Sequence, residues 1–116
     1  MADVKKLTDL VVRFRDKRDW KQFHNPKDLA VSLTLEASEV LEHFQWKNKE
    51  EIEKYVKTNK NNIGEELADV LYWVLLMANY LDIDVVAASE RKLLKNATKY
   101  PVEKAKGNHK KYTDLR

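Results

Sequence analysis

Two acidic pairs are the residues whose type and spacing could do chemistry in this chain. Glu36 and Glu39 form the first pair, and Glu66 and Asp69 form the second. Each pair interrupts an apolar segment typical of a buried helix, and carboxylates three residues apart lie on one side of a helix. If the two helices face each other, four carboxylates come together. Buried carboxylates are costly unless they are paired or bind a metal, so something must neutralise them.

Three explanations for these carboxylates compete. The first is magnesium, because hard divalent cations take oxygen ligands and Mg²⁺ shares the phosphates of a substrate. The second is a di-iron or di-manganese bundle, which needs a histidine three residues after a glutamate. His24, His43 and His109 do not supply that pattern. The third is a structural network whose lysine or arginine partners come from elsewhere, since residues 29–46 and 62–81 contain neither.

The hydrophobic pattern predicts that helices position these acids. Two glycines and two prolines leave little material for hairpins, which favours an all-α bundle of four to five helices. The third predicted helix is apolar almost all round, so we expect a second copy of the chain to cover it and to complete the bundle. The predicted helices are residues 3–18, 26–46, 62–81 and 84–99, with a short amphipathic helix before a connection at 59–62.

Length, charge and cysteine content limit the number of domains and the kinds of partner and site that we expect. The 116 residues favour one helical domain over 1–101, followed by a basic tail over 102–116. The net charge of +3 is mild and no nucleic-acid reading motif is present, so nucleic acid is not an expected partner. The absence of cysteine excludes thiolate metal sites and thiol catalysis.

The longest apolar run, 70–78, is too short to span a membrane, and we expect a cytoplasmic protein without a membrane partner.

Residues 19–25 break the helical period and combine Trp20, Phe23 and His24 in one short segment. Two interpretations stay open for this loop. Its aromatic side chains either plug the end of the bundle or stack on a nucleobase, since amphipathic aromatics suit both.

The two acidic pairs also carry a family resemblance. Glu36-x-x-Glu39, a spacer of 26 residues and Glu66-x-x-Asp69 resemble the signature of the all-α nucleoside triphosphate pyrophosphohydrolases, in their MazG-like and dCTP pyrophosphatase branch. The resemblance covers most of the chain, from about Phe14 to Pro101. The stretches that carry it are residues 18–24, 36–47, 66–71 and 96–101.

The resemblance implies a helical dimer, or a tetramer made of two dimers. It implies Mg²⁺-dependent cleavage of a nucleoside triphosphate between its α and β phosphates, with Mn²⁺ as a substitute metal. The implied metal ligands and catalytic residues are Glu36, Glu39, Glu66 and Asp69. The implied contacts to the phosphates or sugar are Lys92, Asn96 and Tyr100. The implied base pocket consists of Trp20, His24 and Trp46, with Phe23 as an additional candidate.

One departure from the family pattern concerns the doubled glutamate that often precedes the spacer. Here Leu35 precedes Glu36, and the doubled pair is Glu65-Glu66, so the role of Glu65 stays open. We take Glu39 as the general base toward water. By resemblance, dCTP is the first expected substrate, with dATP close behind, and removal of unwanted nucleotides is the expected role. The alternative is a non-catalytic helical module for oligomerisation or nucleotide binding.

Overall fold

The computed structural model describes residues 3–115, and every regular element in that range is helical. The all-α prediction with four to five helices is confirmed for this range, whereas completion of the bundle by a second copy stays a prediction. The helices are α1 (Val4–Lys17), α2 (Pro26–Glu42), α3 (Lys49–Tyr80), α4 (Val85–Lys99) and α5 (Val102–Ala105), and 3₁₀ turns lie at Lys21–Phe23 and Tyr112–Asp114.

Side-chain caps fix where the longer helices begin. At α2, Asn25 Oδ1 accepts a hydrogen bond from the backbone N–H of Asp28 at 2.9 Å, directly before Pro26. Such caps satisfy a backbone donor that would otherwise lack a partner at the first turn. The capping residues are Asp3 for α1, Asn25 for α2, Asn48 for α3 and Asp84 for α4.

The predicted and observed elements differ most at residues 59–62. The expected connection is only a bend within α3, where Asn59 leaves helical geometry at φ −124° and ψ 19°. Its side-chain Nδ2 donates to the carbonyl oxygen of Tyr55 at 2.9 Å, which replaces a helical hydrogen bond at the bend. The run holds no proline to stop the helix, so the asparagines bend it instead.

The second difference concerns the end of α2. The helix ends at Glu42 rather than at 46, because the chain turns and Trp46 takes the left-handed conformation with φ 70°.

The chain forms two compact units, the first ending at Ile83 and the second beginning at Asp84. In the first unit α1 and α2 pack against α3, and the fully buried apolar side chains are Leu29, Leu75 and Leu76. In the second unit, the Tyr112 ring packs edge-on against Tyr100, with centroids 6.2 Å apart. The predicted division at residue 101 stays a prediction, and its outer ends, residues 1–2 and 116, lie outside the described range. Across residues 3–115, no single helix is both long and apolar enough to cross a bilayer.

Candidate functional site

The two acidic pairs meet where α2 packs against α3. One carboxylate oxygen from each residue lies within 4.8 Å of the corresponding oxygens of the other three. The three-residue spacing places each pair on one side of its helix, and the packing of the helices brings the two sides together. The four residues of this carboxylate cluster are Glu36, Glu39, Glu66 and Asp69.

The carboxylate cluster lacks a cationic protein partner in the first unit. Glu36 and Glu66 are half-buried, and the Oε2 atom of each is buried without a hydrogen-bond partner. Among residues 3–83 the ion pair joins Arg15 to Asp16, and no lysine or arginine nitrogen lies within ion-pair distance of the cluster. The explanation by a structural salt-bridge network therefore lacks the partners it requires in this unit, and the buried oxygens need another source of positive charge.

Burial and neighbouring acids raise the pKa of two of these carboxyls. The pKa of Glu66 rises from its ordinary 4.5 to about 7, first through a hydrogen bond with Glu39, then through desolvation and the negative charges of the other members. The pKa of Glu36 is also raised, first by burial and then by Glu39 and Asp69, against a smaller lowering by a hydrogen bond from Trp73. A divalent cation would offset the negative charges that contribute to both shifts.

The donor chemistry of the cluster fits a hard cation. Its members offer carboxylate oxygens, and neither histidine nor sulfur takes part. Such sets suit Mg²⁺ or Mn²⁺, whereas a di-iron bundle would place histidines among the ligands. Glu65, whose role the sequence leaves open, is exposed and stands outside the cluster within the described residues.

A cavity of about 470 Å³ adjoins the carboxylate cluster. Two members of the cluster, Glu36 and Asp69, contribute to its wall, so carboxylate oxygens and a hydrophobic surface face the same space. Aromatic rings that can hold a nucleobase form much of the rest. The other lining residues are Leu10, Val11, Phe14, Trp20, Tyr72 and Trp73. This space is called the aromatic cavity below.

A second hollow of about 320 Å³ shares Trp20 and Trp73 with the aromatic cavity. Phe23 and His24 also line it, so the structure brings together the loop residues predicted for base binding. The His24 ring packs edge-on against Trp73, with centroids 5.8 Å apart. Phe23 is 66% exposed, which does not fit the interpretation of this loop as a buried plug.

Sequence reasoning missed three aromatic lining residues, Phe14, Tyr72 and Trp73. Phe14 follows Leu10 by four positions, and Tyr72 follows Asp69 by three, so each shares a helix face with another lining residue. Helical spacing from Asp69 would have found Tyr72. The approach of α1 to α3 is a tertiary contact that no local pattern in α1 encodes. The sequence therefore gave no signal that Phe14 would line the cavity.

Trp46 does not line either hollow of the first unit. It stands on the turn after α2 with 92% of its surface exposed. A bulky residue at positive φ is unusual and indicates a constrained turn. The side chains around it are held by Tyr55, whose hydroxyl hydrogen-bonds His43 and whose ring lies 4.4 Å from the Lys47 ammonium.

The three residues predicted to meet phosphates or sugar lie in the second unit. Lys92 and Asn96 are one helical turn apart on α4, and the Tyr100 backbone N–H donates to the Asn96 carbonyl at 2.8 Å where the helix ends. Their spacing keeps Lys92 and Asn96 on a common side of α4. Their approach to a substrate stays a prediction.

Comparisons with known proteins agree on one family. The family model described as the MazG-like family matches residues 31–115. Among curated relatives, dCTP pyrophosphatase 1 of Rattus norvegicus is 34% identical over an alignment that covers 99% of this chain and 67% of the relative. The Homo sapiens protein of the same name is 32% identical with the same coverage. A crystal structure of a pyrophosphatase from Archaeoglobus fulgidus superimposes with a TM-score of 0.81 and 38% identity, covering 87% of this chain and 94% of that one.

Proposed function

The chain belongs to the MazG-like family, and we propose that it hydrolyses a deoxynucleoside triphosphate, dCTP or a related one such as dATP, to the monophosphate and pyrophosphate. The observation that carries this proposal is the carboxylate cluster in the wall of the aromatic cavity. Oxygen ligands for a cation and aromatic surfaces for a base then occupy one site. Curated relatives bear the name dCTP pyrophosphatase 1, which supports the choice of substrate. Removal of unwanted nucleotides from the cytoplasmic pool is the proposed role.

Mg²⁺ is the proposed cofactor, with Mn²⁺ as a substitute. Glu36, Glu39, Glu66 and Asp69 would hold it, since their oxygens converge and two of them are buried without a partner. When bound, the ion supplies positive charge that neutralises the triphosphate and favours ionisation of water. The protein's own share of the reaction is positioning and proton transfer, as in other phosphoryl displacements.

The proposed reaction begins with attack of a water oxygen on the α phosphorus. A bond forms between these two atoms, and the bond from the α phosphorus to the oxygen that bridges it to the β phosphorus breaks. Pyrophosphate leaves with the bridging oxygen, and Glu39 accepts the proton that the water loses. Glu39 is exposed within the cluster, so a water molecule can reach it.

Aromatic side chains are proposed to hold the base. Trp20, His24 and Phe23 share adjoining hollows in the first unit, which supports their assignment to base binding. We also assign Trp46 to base binding, and Lys92, Asn96 and Tyr100 to the phosphates or sugar. These last assignments rest on the family resemblance.

A dimer, or a tetramer of two dimers, is the proposed assembly. Several leucines on the two helices that carry the cluster are exposed, among them Leu35 and Leu41 of α2 at 60% each and Leu67 of α3 at 54%. Exposed apolar surface of this extent on core-type helices favours burial against another copy.

Product analysis tests the proposed function. ³¹P NMR of dCTP incubated with the protein and Mg²⁺ should show dCMP and pyrophosphate rising together. Formation of dCDP and phosphate would place the cleavage at the wrong bond and overturn the proposal. A folded protein without turnover of any nucleoside triphosphate would instead favour the non-catalytic binding module.

A further inference from the structure

Trp46 lies on a turn that is strained and that exposes a large aromatic ring. Its backbone takes φ 70°, a left-handed conformation that is costly for a bulky side chain. The residue is 92% exposed, the largest exposed fraction among the large hydrophobic side chains of residues 3–115. Neither feature stabilises the chain, so both call for an explanation outside its hydrophobic core.

The side chains on both sides of Trp46 pack against a single ring of the next helix, that of Tyr55. Before Trp46, the Phe44 ring lies edge-on to the Tyr55 ring, with centroids 6.3 Å apart. After Trp46, the Lys47 ammonium lies 4.4 Å from the centroid of the same ring. Tyr55 is half-buried, and it therefore holds the turn at both ends while Trp46 itself stays exposed.

A hydrogen bond fixes the Tyr55 ring in this position. Its hydroxyl bonds Nδ1 of His43, the first residue after α2. The imidazole also packs against the neighbouring rings, with centroids 5.7 Å from Tyr55 and 6.2 Å from Phe44. The Tyr55 side chain is thus anchored to the end of α2 as well as to its own helix.

Backbone hydrogen bonds order the turn itself. The Gln45 N–H donates to the Leu41 carbonyl at 2.9 Å, and the Lys47 N–H donates to the Phe44 carbonyl at 3.2 Å. The second bond spans Trp46, so the backbone on either side of this residue is held in place. A ring that is ordered before its ligand arrives loses less conformational entropy on binding.

We propose that Tyr55 is a positioning residue that holds the Trp46 ring ready to stack on the nucleobase of the substrate. His43 and Lys47 support it by contacting the Tyr55 side chain from the turn. This inference rests on the proposed function, which assigns Trp46 to base binding. Because every base has a face on which a ring can stack, Tyr55 sets the affinity for nucleotides and not the choice of base.

A double-mutant cycle tests whether Tyr55 acts through Trp46. Trp46→Ala should raise KM for dCTP by about tenfold and leave kcat nearly unchanged, as a lost stacking contact predicts. Tyr55→Leu should raise KM by about threefold or more, because the ring must then be ordered on binding. In the Trp46→Ala background, Tyr55→Leu should have no further effect. Tyr80→Leu, at an exposed position on the same helix, is the matched control and should leave KM unchanged.

NMR of the indole N–H groups reports on the ring directly. The chain has three tryptophans, and the indole signal that Trp46→Ala removes identifies Trp46. The ¹⁵N heteronuclear NOE of this signal should fall in Tyr55→Leu, while the signals of Trp20 and Trp73 keep their values. A fall in all three would assign Tyr55 a general structural role and overturn the inference.

Binding of dCMP with Mg²⁺, which involves no turnover, separates this inference from the proposed function. The Kd should rise in Tyr55→Leu, but not when the same change is made in the Trp46→Ala background. An equal rise in both backgrounds, or none in either, would overturn the inference. If Tyr55→Leu does not fold, Lys47→Met takes its place in the same cycle and is judged by the same outcomes.

The two proposals fail in different ways. Coupled binding of dCMP by a protein that releases no pyrophosphate from dCTP would refute the proposed function alone. Pyrophosphate release without coupling between Tyr55 and Trp46 would refute the positioning role alone. A folded protein that neither binds dCMP nor releases pyrophosphate would refute both.

Discussion

At the scale of single residues, the proposed chemistry depends on four acids that repel one another. Glu36 and Glu66 each bury an oxygen atom without a partner, in a cluster with Glu39 and Asp69. A protein gains nothing in stability from such an arrangement unless a cation joins it. The sequence alone predicted these acids as a site, because a carboxylate within the apolar stripe of a helix breaks the alternation of hydrophobic and polar residues.

Removal of one carboxylate charge at a time should abolish turnover and leave the fold intact. We expect Glu36→Gln and Asp69→Asn each to lower kcat/KM for pyrophosphate release by about 100-fold or more, because each loses an anionic ligand. Glu42→Gln is the matched control, since Glu42 is exposed on α2 outside the cluster. Circular dichroism checks the fold of each variant. Full activity in both cluster variants would refute the assignment of the site.

The raised pKa of Glu66 predicts how stability depends on pH in the metal-free protein. Between its ordinary pKa of 4.5 and the value of about 7, the folded state binds more protons at Glu66 than the unfolded state does. The contribution of this group to stability is therefore present at low pH and lost as pH rises through about 7. In EDTA, the gain in Tm of Glu66→Gln over wild type should grow across this range. A gain independent of pH would contradict the shift.

At the scale of elements, local signals in the sequence predicted the start of α2 but not its end. Asn25 before Pro26 marks the start of α2 correctly, because capping is a contact within one turn. The end of α2 was misplaced by four residues relative to Glu42, since the turn at Trp46 is stabilised by Tyr55 of the next helix. The bend at Asn59 looked like a connection because polar asparagines commonly mark loops.

The reciprocal cap of α3 predicts an effect on stability. Asn48 Oδ1 accepts from the Glu51 N–H at 2.9 Å, and the Glu51 carboxylate accepts from the Asn48 N–H at 3.2 Å. Asn48→Ala should lower the free energy of unfolding by about 1 kcal/mol, because the Glu51 N–H loses its side-chain acceptor at the first turn. Asn61→Ala, at an exposed position inside α3, should be neutral or stabilising. Urea denaturation distinguishes the two, and equal effects would exclude a capping role.

At the scale of the whole molecule, sequence patterns predicted the all-α class and the acidic pairs. They did not predict the aromatic cavity beside the carboxylate cluster. The aromatic cavity forms because α1 and α3 approach each other, and only a tertiary contact places Phe14 near Tyr72. The sequence did not predict the burial of Arg15 either, since a charged residue on an amphipathic helix is normally exposed.

The exposed leucines of α2 and α3 predict self-association. Sedimentation equilibrium at micromolar concentration should give the mass of a dimer or a tetramer, because a stable interface would remove this apolar surface from water. Leu35→Lys, at a position 60% exposed, should weaken the assembly while helical content is retained. A monomeric wild-type protein at that concentration would contradict the proposed assembly.

Pyrophosphate release from a panel of ribo- and deoxynucleoside triphosphates, measured with Mg²⁺ and again with EDTA, tests the central claim most directly. We expect release from dCTP, with less from dATP, and its loss when EDTA removes the ion proposed to bind the carboxylate cluster. Restoration of activity by Mn²⁺ would agree with a site made only of carboxylate oxygens. Release that continues undiminished in EDTA, or no release from any member of the panel by folded protein, would contradict a metal-dependent pyrophosphohydrolase built on these four acids.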